Sequence, residues 1–117
     1  MNDSFLQFLS ITKKSGNLLE GYNKCEEAVN NKRVSLIILS KDISKNTKDK
    51  FLTLCEKNSI SIIEGYSKNE LGQFIGRDEI NIIGILDKRM KDKLITLWAN
   101  RQIYDFGGDV IVKDKSL

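Results

Sequence analysis

A chain of 117 residues has the usual size of one domain, and it is long enough to bury a core. Hydrophobic residues make up 40% and charged residues 30%, which excludes the composition of disordered chains. Histidine is absent, and with it the commonest general acid–base group and the commonest metal ligand. The net charge of +3 permits a nucleic-acid partner without requiring one.

Membrane insertion and thiol chemistry are both disfavoured by the sequence. The longest apolar runs, such as Leu36 to Leu39 and Ile82 to Leu86, are far shorter than the roughly 20 residues that span a bilayer. Residues 1–16 lack the basic start and apolar middle of a signal peptide, so we expect a cytoplasmic protein. The two cysteines, Cys25 and Cys55, form no CxxC or zinc pattern and are predicted to be buried and reduced. An alternative for Cys25 is a thiolate near a helix start.

The first predicted helix begins at a cap among Asn2, Asp3 and Ser4 and runs to about Lys14. A short extended segment at residues 17–20 follows. The spacing Asn23-x-x-Glu26 then predicts a capping box that opens the second helix.

Apolar segments and amphipathic helices alternate in the rest of the chain. Ser67-x-x-Glu70 is a second predicted capping box, and Trp98 lies on the apolar stripe of the last helix as a core residue. The further predicted elements are strands Val34–Leu39, Ile60–Ile63 and Ile80–Leu86, and helices Ser44–Lys57, Ser67–Gly76 and Lys88–Asn100.

This alternation predicts an α/β protein, a three-layer α/β/α sandwich. We expect a mixed, mostly parallel central sheet of about four strands, with Val34–Leu39 and Ile80–Leu86 as inner strands. Residues 1–103 are predicted to form one domain, followed by a tail at 104–117. Within the tail, Val110–Val112 is predicted to be either an edge strand or a mobile segment.

Five segments in order carry a resemblance that covers about residues 5–98. They are SGNLLEGYNKCEEAV, VSLIILSKDIS, LTLCEKNSISII, YSKNELGQFIG and INIIGIL. With them the chain resembles the L7Ae family of kink-turn-binding ribosomal proteins, and looks like its bacterial ribosomal-protein-like members of the YlxQ type. The resemblance implies a non-catalytic domain that binds kink-turns, which are sharply bent RNA duplexes with tandem sheared G·A pairs.

The resemblance also implies a motif of Gly, any residue, Asn, Glu, two variable residues and Lys at the start of the second helix. In the family, the asparagine and glutamate contact G·A pair edges and the lysine contacts phosphate. This chain keeps Gly21 and Asn23, but has Lys24 in place of the glutamate and Glu27 in place of the lysine. An ammonium donates hydrogen bonds and cannot accept them, so Lys24 cannot make the base-edge contact of a carboxylate.

Other basic residues lie in or near predicted loops and helix ends. Phosphate neutralisation by such groups would supply general RNA affinity, although an ordinary solvated surface has the same composition. The family's first strand is often basic, whereas here it is Asn17-Leu18-Leu19-Glu20. The predicted RNA-binding residues are Gly21, Asn23, Lys24, Glu27, Lys13, Lys14, Lys68 and Arg77, with Lys32 and Arg33 as further cations on the same face.

The function we predict is non-catalytic binding of a structured RNA, either a kink-turn or ribosomal RNA, by a monomer that needs no cofactor or metal. The alternative is a protein-interaction module on the same fold that has lost kink-turn binding. The charges at Lys24 and Glu27 favour the alternative, whereas Gly21, Asn23 and the loop lysines favour RNA. Neither a GxGxxG nor a GxxxxGK[ST] phosphate-binding motif is present, so an enzyme is disfavoured.

Overall fold

The structure is a computed structural model that describes the backbone of residues 3–104 and 111–113 and the side chains of residues 3–100. Helices and strands alternate along the chain. The helices are α1 (Ser4–Lys14), α2 (Tyr22–Asn30), α3 (Lys45–Lys57), α4 (Lys68–Gln73) and α5 (Lys88–Tyr104). The strands are β1 (Leu18–Glu20), β2 (Leu36–Leu39), β3 (Ser61–Glu64), β4 (Ile82–Ile85) and β5 (Ile111–Lys113).

The helices cover both faces of the sheet, which confirms the predicted three-layer sandwich. One apolar cluster joins α1, α4 and α5 to the sheet, and it contains Trp98 with no exposed surface. The other cluster joins α2 and α3 to the opposite face and contains Phe51 and both cysteines. All residues of β2 and β4 are buried, because these two strands have a neighbouring strand on each side and helices on each face.

The strand order is β1-β4-β2-β3-β5, so the predicted inner strands β2 and β4 lie inside the sheet. The sheet is mixed, as predicted, but the prediction that it is mostly parallel was wrong. Among the described strands, only β2 and β3 pair in parallel, whereas β4 is antiparallel to both β1 and β2, and β5 is antiparallel to β3. With β5 included, the described residues form five strands rather than about four.

The direction of β4 follows from the length of α4. Helices α2 and α3 have 9 and 13 residues. Each is long enough to return the chain from the end of one strand to the level at which that strand began, so β1, β2 and β3 run in one direction. Helix α4 has only six residues and rises about 9 Å. The chain then returns to the start of α4, where the Ile80 N–H donates to the Lys68 carbonyl at 3.0 Å. Strand β4 therefore starts from the edge where β3 ended, and runs back antiparallel.

Three predicted helix starts are confirmed by their caps. The Asp3, Ser44 and Ser67 side chains accept from backbone N–H groups in the first turns of α1, α3 and α4. Glu70 completes the capping box at Ser67. Such caps depend on residues three positions apart, which is why sequence spacing identifies them.

The predicted capping box at Asn23 was wrong. Helix α2 begins at Tyr22, with Gly21 as its N-cap and no side-chain cap bond. Gly21 has φ +97°, in the region that favours glycine, and its N–H donates to the Ile82 carbonyl of β4 at 3.0 Å. This bond to the sheet fixes the helix start two residues earlier than the local spacing predicts.

The last helix is longer than predicted, because α5 continues past Asn100 to Tyr104. The alternative of an edge strand near residues 110–112 agrees with β5, which pairs with β3 at the sheet edge. Residues 105–110 and 114–117, including Val110 of the predicted strand, lie outside the described residues. The boundary at residue 103 stays a prediction.

Both cysteines are buried and free, as predicted. Burial raises the pKa of each thiol to about 12, so the alternative of a Cys25 thiolate is not supported. No helix within residues 3–104 is long and apolar enough to cross a membrane.

Candidate nucleic-acid interface

Three helices begin at the edge of the sheet where β1, β2 and β3 end, which we call the carboxyl edge. Helix α2 follows Glu20 of β1, α3 follows the loop after β2, and α4 follows Gly65 and Tyr66 after β3. The loops touch one another, since the Lys41 N–H donates to the Tyr66 carbonyl at 2.8 Å and the Lys68 N–H donates to the Asp42 carboxylate at 2.9 Å. The loop between α4 and β4 lies at the same edge.

Helix α2 differs from its two neighbours at this edge. Serine side chains cap α3 and α4, whereas α2 starts from Gly21 without a side-chain acceptor in the described structure. Its first-turn N–H groups are oriented for an anion from outside the helix, since the first amides of a helix have no intrahelical partner. Asn23 and Lys24 lie exposed on this turn, and Glu27 is exposed one turn further along. Asn23 is thus free of the capping role that its spacing predicted.

Glu20, the last residue of β1, joins two predicted RNA-binding cations. Its carboxylate forms an ion pair with the Lys13 ammonium from α1, and accepts from Arg77 Nε at 2.5 Å. The Glu20 side chain is 13% exposed, whereas Arg77 is 59% exposed. One carboxylate therefore neutralises part of the charge of both cations, and we call these three residues the Glu20 cluster. The sequence shows an acidic first strand, but gives no sign of these partners.

The pKa of Glu20 reflects two opposing causes. Burial raises it, but the hydrogen bonds and charges of Lys13 and Arg77 outweigh burial, so the pKa lies below its usual value of 4.5. A carboxyl whose folded-state pKa is lowered contributes stability above its unfolded-state pKa. That contribution is lost as the pH falls through the folded-state pKa.

Replacing Glu20 by Gln should lower the free energy of unfolding at neutral pH by about 1 kcal/mol, a modest amount because both cations are partly exposed. The difference between the variant and the unaltered protein should shrink well below pH 4.5. Urea unfolding at both pH values measures it. A stability difference of the same size at both pH values would contradict a stabilising role of the Glu20 ion pairs. Glu27→Gln at an exposed position of α2 is the control.

The remaining cations at the carboxyl edge differ in their partners. Lys68 Nζ lies 3.5 Å from a Glu79 carboxylate oxygen. Lys24 and Lys41 are exposed and form no ion pair among the described residues. Sequence analysis missed Lys41, although its position directly after a strand that is parallel to its neighbour is the signal that would place it at this edge.

Lys32 and Arg33 are not brought to the carboxyl edge. Lys14 is exposed at the end of α1, next to the turn that leads to the start of β1. Lys32 and Arg33 follow α2 and precede β2, so they lie at the opposite side of the sheet, which we call the amino edge. The expectation that these cations share one face with the others was wrong for Lys32 and Arg33, because α2 carries the chain across the sheet.

Close backbone packing holds the loop that carries Arg77. Gly72 of α4 lies under this loop, and a Cβ there would stand 2.7 Å from the Glu79 Cα. The Arg77 N–H also donates to the Gly72 carbonyl at 2.9 Å. Only a glycine permits this approach, so the position of Arg77 depends on Gly72.

A second set of contacts fixes the start of α2. Lys50 of α3 forms an ion pair with Glu26 at 2.6 Å, and its ammonium lies 5.0 Å from the centre of the Tyr22 ring. The hydrogen bonds to Glu26 and Tyr22 raise the pKa of Lys50 to about 12. The first turn of α2 is therefore held against α3, and Asn23 and Lys24 project from a supported helix. The described residues contain no group of three or more side chains that could hold a metal ion.

The protein is thus a small α/β/α domain in which three helix starts and several cations lie at the carboxyl edge of the sheet. The chain belongs to the ribosomal protein L7Ae/L30e/S12e/Gadd45 family, whose model matches residues 3–97. This confirms the resemblance found in the sequence.

Individual relatives agree with this assignment. The RNA-binding protein YlxQ of Bacillus subtilis is 25% identical over 89 residues, which cover 76% of this chain and 89% of the relative. A structure of a protein with unknown function from Bacillus halodurans is similar with a TM-score of 0.80 and 32% identity, over 82% of this chain and 97% of the other. The Giardia lamblia 15.5kD RNA binding protein has the same fold, with a TM-score of 0.69 and 15% identity over 88% of this chain and 92% of its own.

Proposed function

We propose that this protein is a non-catalytic RNA-binding protein that contacts structured RNA through its carboxyl edge. The observation that carries the proposal is the start of α2, where amides without a side-chain cap lie beside exposed Asn23 and Lys24. Phosphate contacts from such amides and lysines would position an RNA backbone. The RNA-binding relative YlxQ supports the same partner.

The finer proposal concerns which RNA is bound. We propose a structured RNA, ribosomal RNA or another bent duplex, with only weak preference for kink-turns. Lys24 offers donors where the family's glutamate accepts from guanine, and Glu27 brings a negative charge to a phosphate position. The Glu20 cluster also leaves Lys13 and Arg77 partly neutralised for an approaching phosphate.

The salt dependence of RNA binding tests the interface. Arg77→Ala should weaken binding with little regard to sequence, and should reduce the slope of log affinity against log salt by about 1, because one counterion fewer is released. Fluorescence anisotropy with one duplex RNA at several salt concentrations measures the slope. Lys57→Ala, at the end of α3 and far from the carboxyl edge, is the control.

Lys13→Ala and Lys14→Ala belong in the same series. Lys13 belongs to the Glu20 cluster, and its loss should also reduce the slope. An unchanged slope for Lys14→Ala would remove Lys14 from the interface. Binding that ignores salt in the unaltered protein would refute the proposed interface as a whole.

The second candidate function is a protein-interaction module on the same fold. The pairing of carboxylates with Lys13, Arg77 and Lys68 favours it, since this edge presents less free positive charge than its number of cations suggests. Absence of RNA binding at low salt would favour this candidate. Cytoplasmic location, a monomeric state and independence of any cofactor stay predictions.

A further inference from the structure

A small cavity opens at the amino edge, on the opposite side of the sheet from the proposed RNA interface. Its volume is about 180 Å³, and its walls are the loop from α2 to β2, the loop from α3 to β3 and the first turns of α5. Pockets for cofactors and other drug-sized ligands measure about 300–1,000 Å³. The cavity is therefore too small for a nucleoside and suits a compact ion.

Three lysines line this cavity: Lys32, Lys88 and Lys91. None of the described residues that line it carries a carboxylate, and its other polar groups are those of Ser35, Asn58 and Ser59. The three ammonium groups come from two separate parts of the chain that only the fold brings together. We call this group the lysine cavity.

Lys91 makes the cavity more than a cluster of surface charges. The residue is only 7% exposed, and burying a charge is costly unless it is paired and hydrogen-bonded. Its ammonium lies 3.3 Å from a carboxylate oxygen of Asp92, the next residue, whose side chain is 61% exposed. An ammonium has three donors, so one such contact leaves capacity for further acceptors. A bound anion would supply them.

The charge of the cavity comes from the lysines rather than from the helix end beside them. Asp87, which precedes α5, accepts from the Met90 N–H at 2.9 Å and occupies the positive end of this helix. A tetrahedral anion has several acceptor oxygens, so it can accept from lysines that belong to different parts of the chain.

We propose that the lysine cavity binds a phosphate group. Two sources have this chemistry, a free inorganic phosphate and a backbone phosphate of RNA. A four-residue strand spans about 13 Å, so the cavity and the carboxyl edge are separate sites on one molecule. The proposal goes beyond the proposed function and stands without it.

Titration of the full chain with inorganic phosphate, followed by amide chemical shifts, tests the proposal against chloride at equal ionic strength. Signals of Ser59, Lys88 and Lys91 should shift and reach saturation. Lys91→Met, which keeps most of the buried side-chain volume, should weaken phosphate binding at least about tenfold, because a charge-assisted contact is lost. Lys88→Met, at an exposed position, should weaken it in a protein whose folding is undisturbed.

Lys93→Met, on the same helix but outside the cavity lining, is the matched control and should bind phosphate unchanged. Shifts that never saturate, or that persist equally in Lys88→Met and Lys91→Met, would overturn the proposal.

Titration with a duplex RNA distinguishes the two sources. If RNA supplies the phosphate, RNA shifts the same amides, and Lys88→Met reduces the salt slope by about 1. If the ligand is a free anion, inorganic phosphate shifts these amides and RNA does not. If RNA does not bind at the carboxyl edge, the amide signals of Asn23 and Lys24 will not shift when RNA is added. The two proposals are therefore tested by different signals and can fail independently.

Discussion

Exchanging the charges of Lys24 and Glu27 should raise the affinity for a kink-turn RNA at least about tenfold. Lys24→Glu places an acceptor where guanine presents amino hydrogens, and Glu27→Lys places a cation where phosphate is expected. A favourable charge-assisted hydrogen bond contributes about 1.5–3 kcal/mol to binding, and a gain of this size raises the affinity about tenfold or more. The net charge of the chain does not change, so a general electrostatic effect is excluded.

The structure makes this exchange a clean experiment. Both side chains are exposed on α2, so neither change disturbs the core. The first turn of α2 contains no acidic residue, and a glutamate there would interact favourably with the positive helix end. A gain in affinity would thus come from a helix at least as stable as the original one.

Titration of both proteins against one kink-turn and one unbent duplex at fixed salt measures the effect. The control is Lys57→Ala, at an exposed position at the end of α3, which should leave both affinities unchanged. Tight, selective binding of the kink-turn by the unaltered protein would contradict our interpretation of the motif. Absence of binding by both proteins would favour the protein-interaction module.

Replacing Trp98 by Ala should lower the free energy of unfolding by about 3–5 kcal/mol, the largest stability effect we expect. Trp98 has no exposed surface and packs against Phe5 and Tyr66, with ring centres 5.5 and 5.2 Å away. Truncation would leave a cavity and remove both ring contacts. Urea unfolding measures the loss. Ile11→Ala, at a 52% exposed position of α1, should change the stability by less than about 0.5 kcal/mol.

A second substitution tests the same packing from the other side. A Cβ at Gly65 would stand 2.5 Å from the Trp98 ring, so Gly65→Ala should cost about 1–3 kcal/mol by overpacking. In a protein that already carries Trp98→Ala, the same change should cost less, because the ring is gone and only the backbone strain of a side chain at φ +157° remains. Additive losses in the double variant would contradict the contact.

The packing of Trp98 against Tyr66 also supports the candidate interface. The Tyr66 hydroxyl donates to the Asp3 carboxylate at 2.6 Å, and the Tyr66 carbonyl accepts from the Lys41 N–H in the loop before α3. Loss of Trp98 should therefore loosen this loop as well as the core. We expect weaker RNA binding by Trp98→Ala even under conditions where most of the protein is folded.

The sequence by itself determined the elements whose signals are local. Caps at Asp3, Ser44 and Ser67 act over three residues, and the apolar runs of β2 and β4 reflect burial on both faces. Family membership also follows from the sequence, because the family model matches residues 3–97. The three-layer fold and the buried thiols are consequences of these local patterns.

The tertiary structure alone decided the features that depend on distant residues. The antiparallel direction of β4 depends on a helix too short to cross the sheet, and the start of α2 depends on a bond from Gly21 to β4. Glu20 meets Arg77 across 57 positions of the chain, and the lysine cavity joins loops to the first turns of α5. Such contacts produce no repeating pattern in the sequence, because they join residues that are far apart in the chain and become neighbours only in the folded protein.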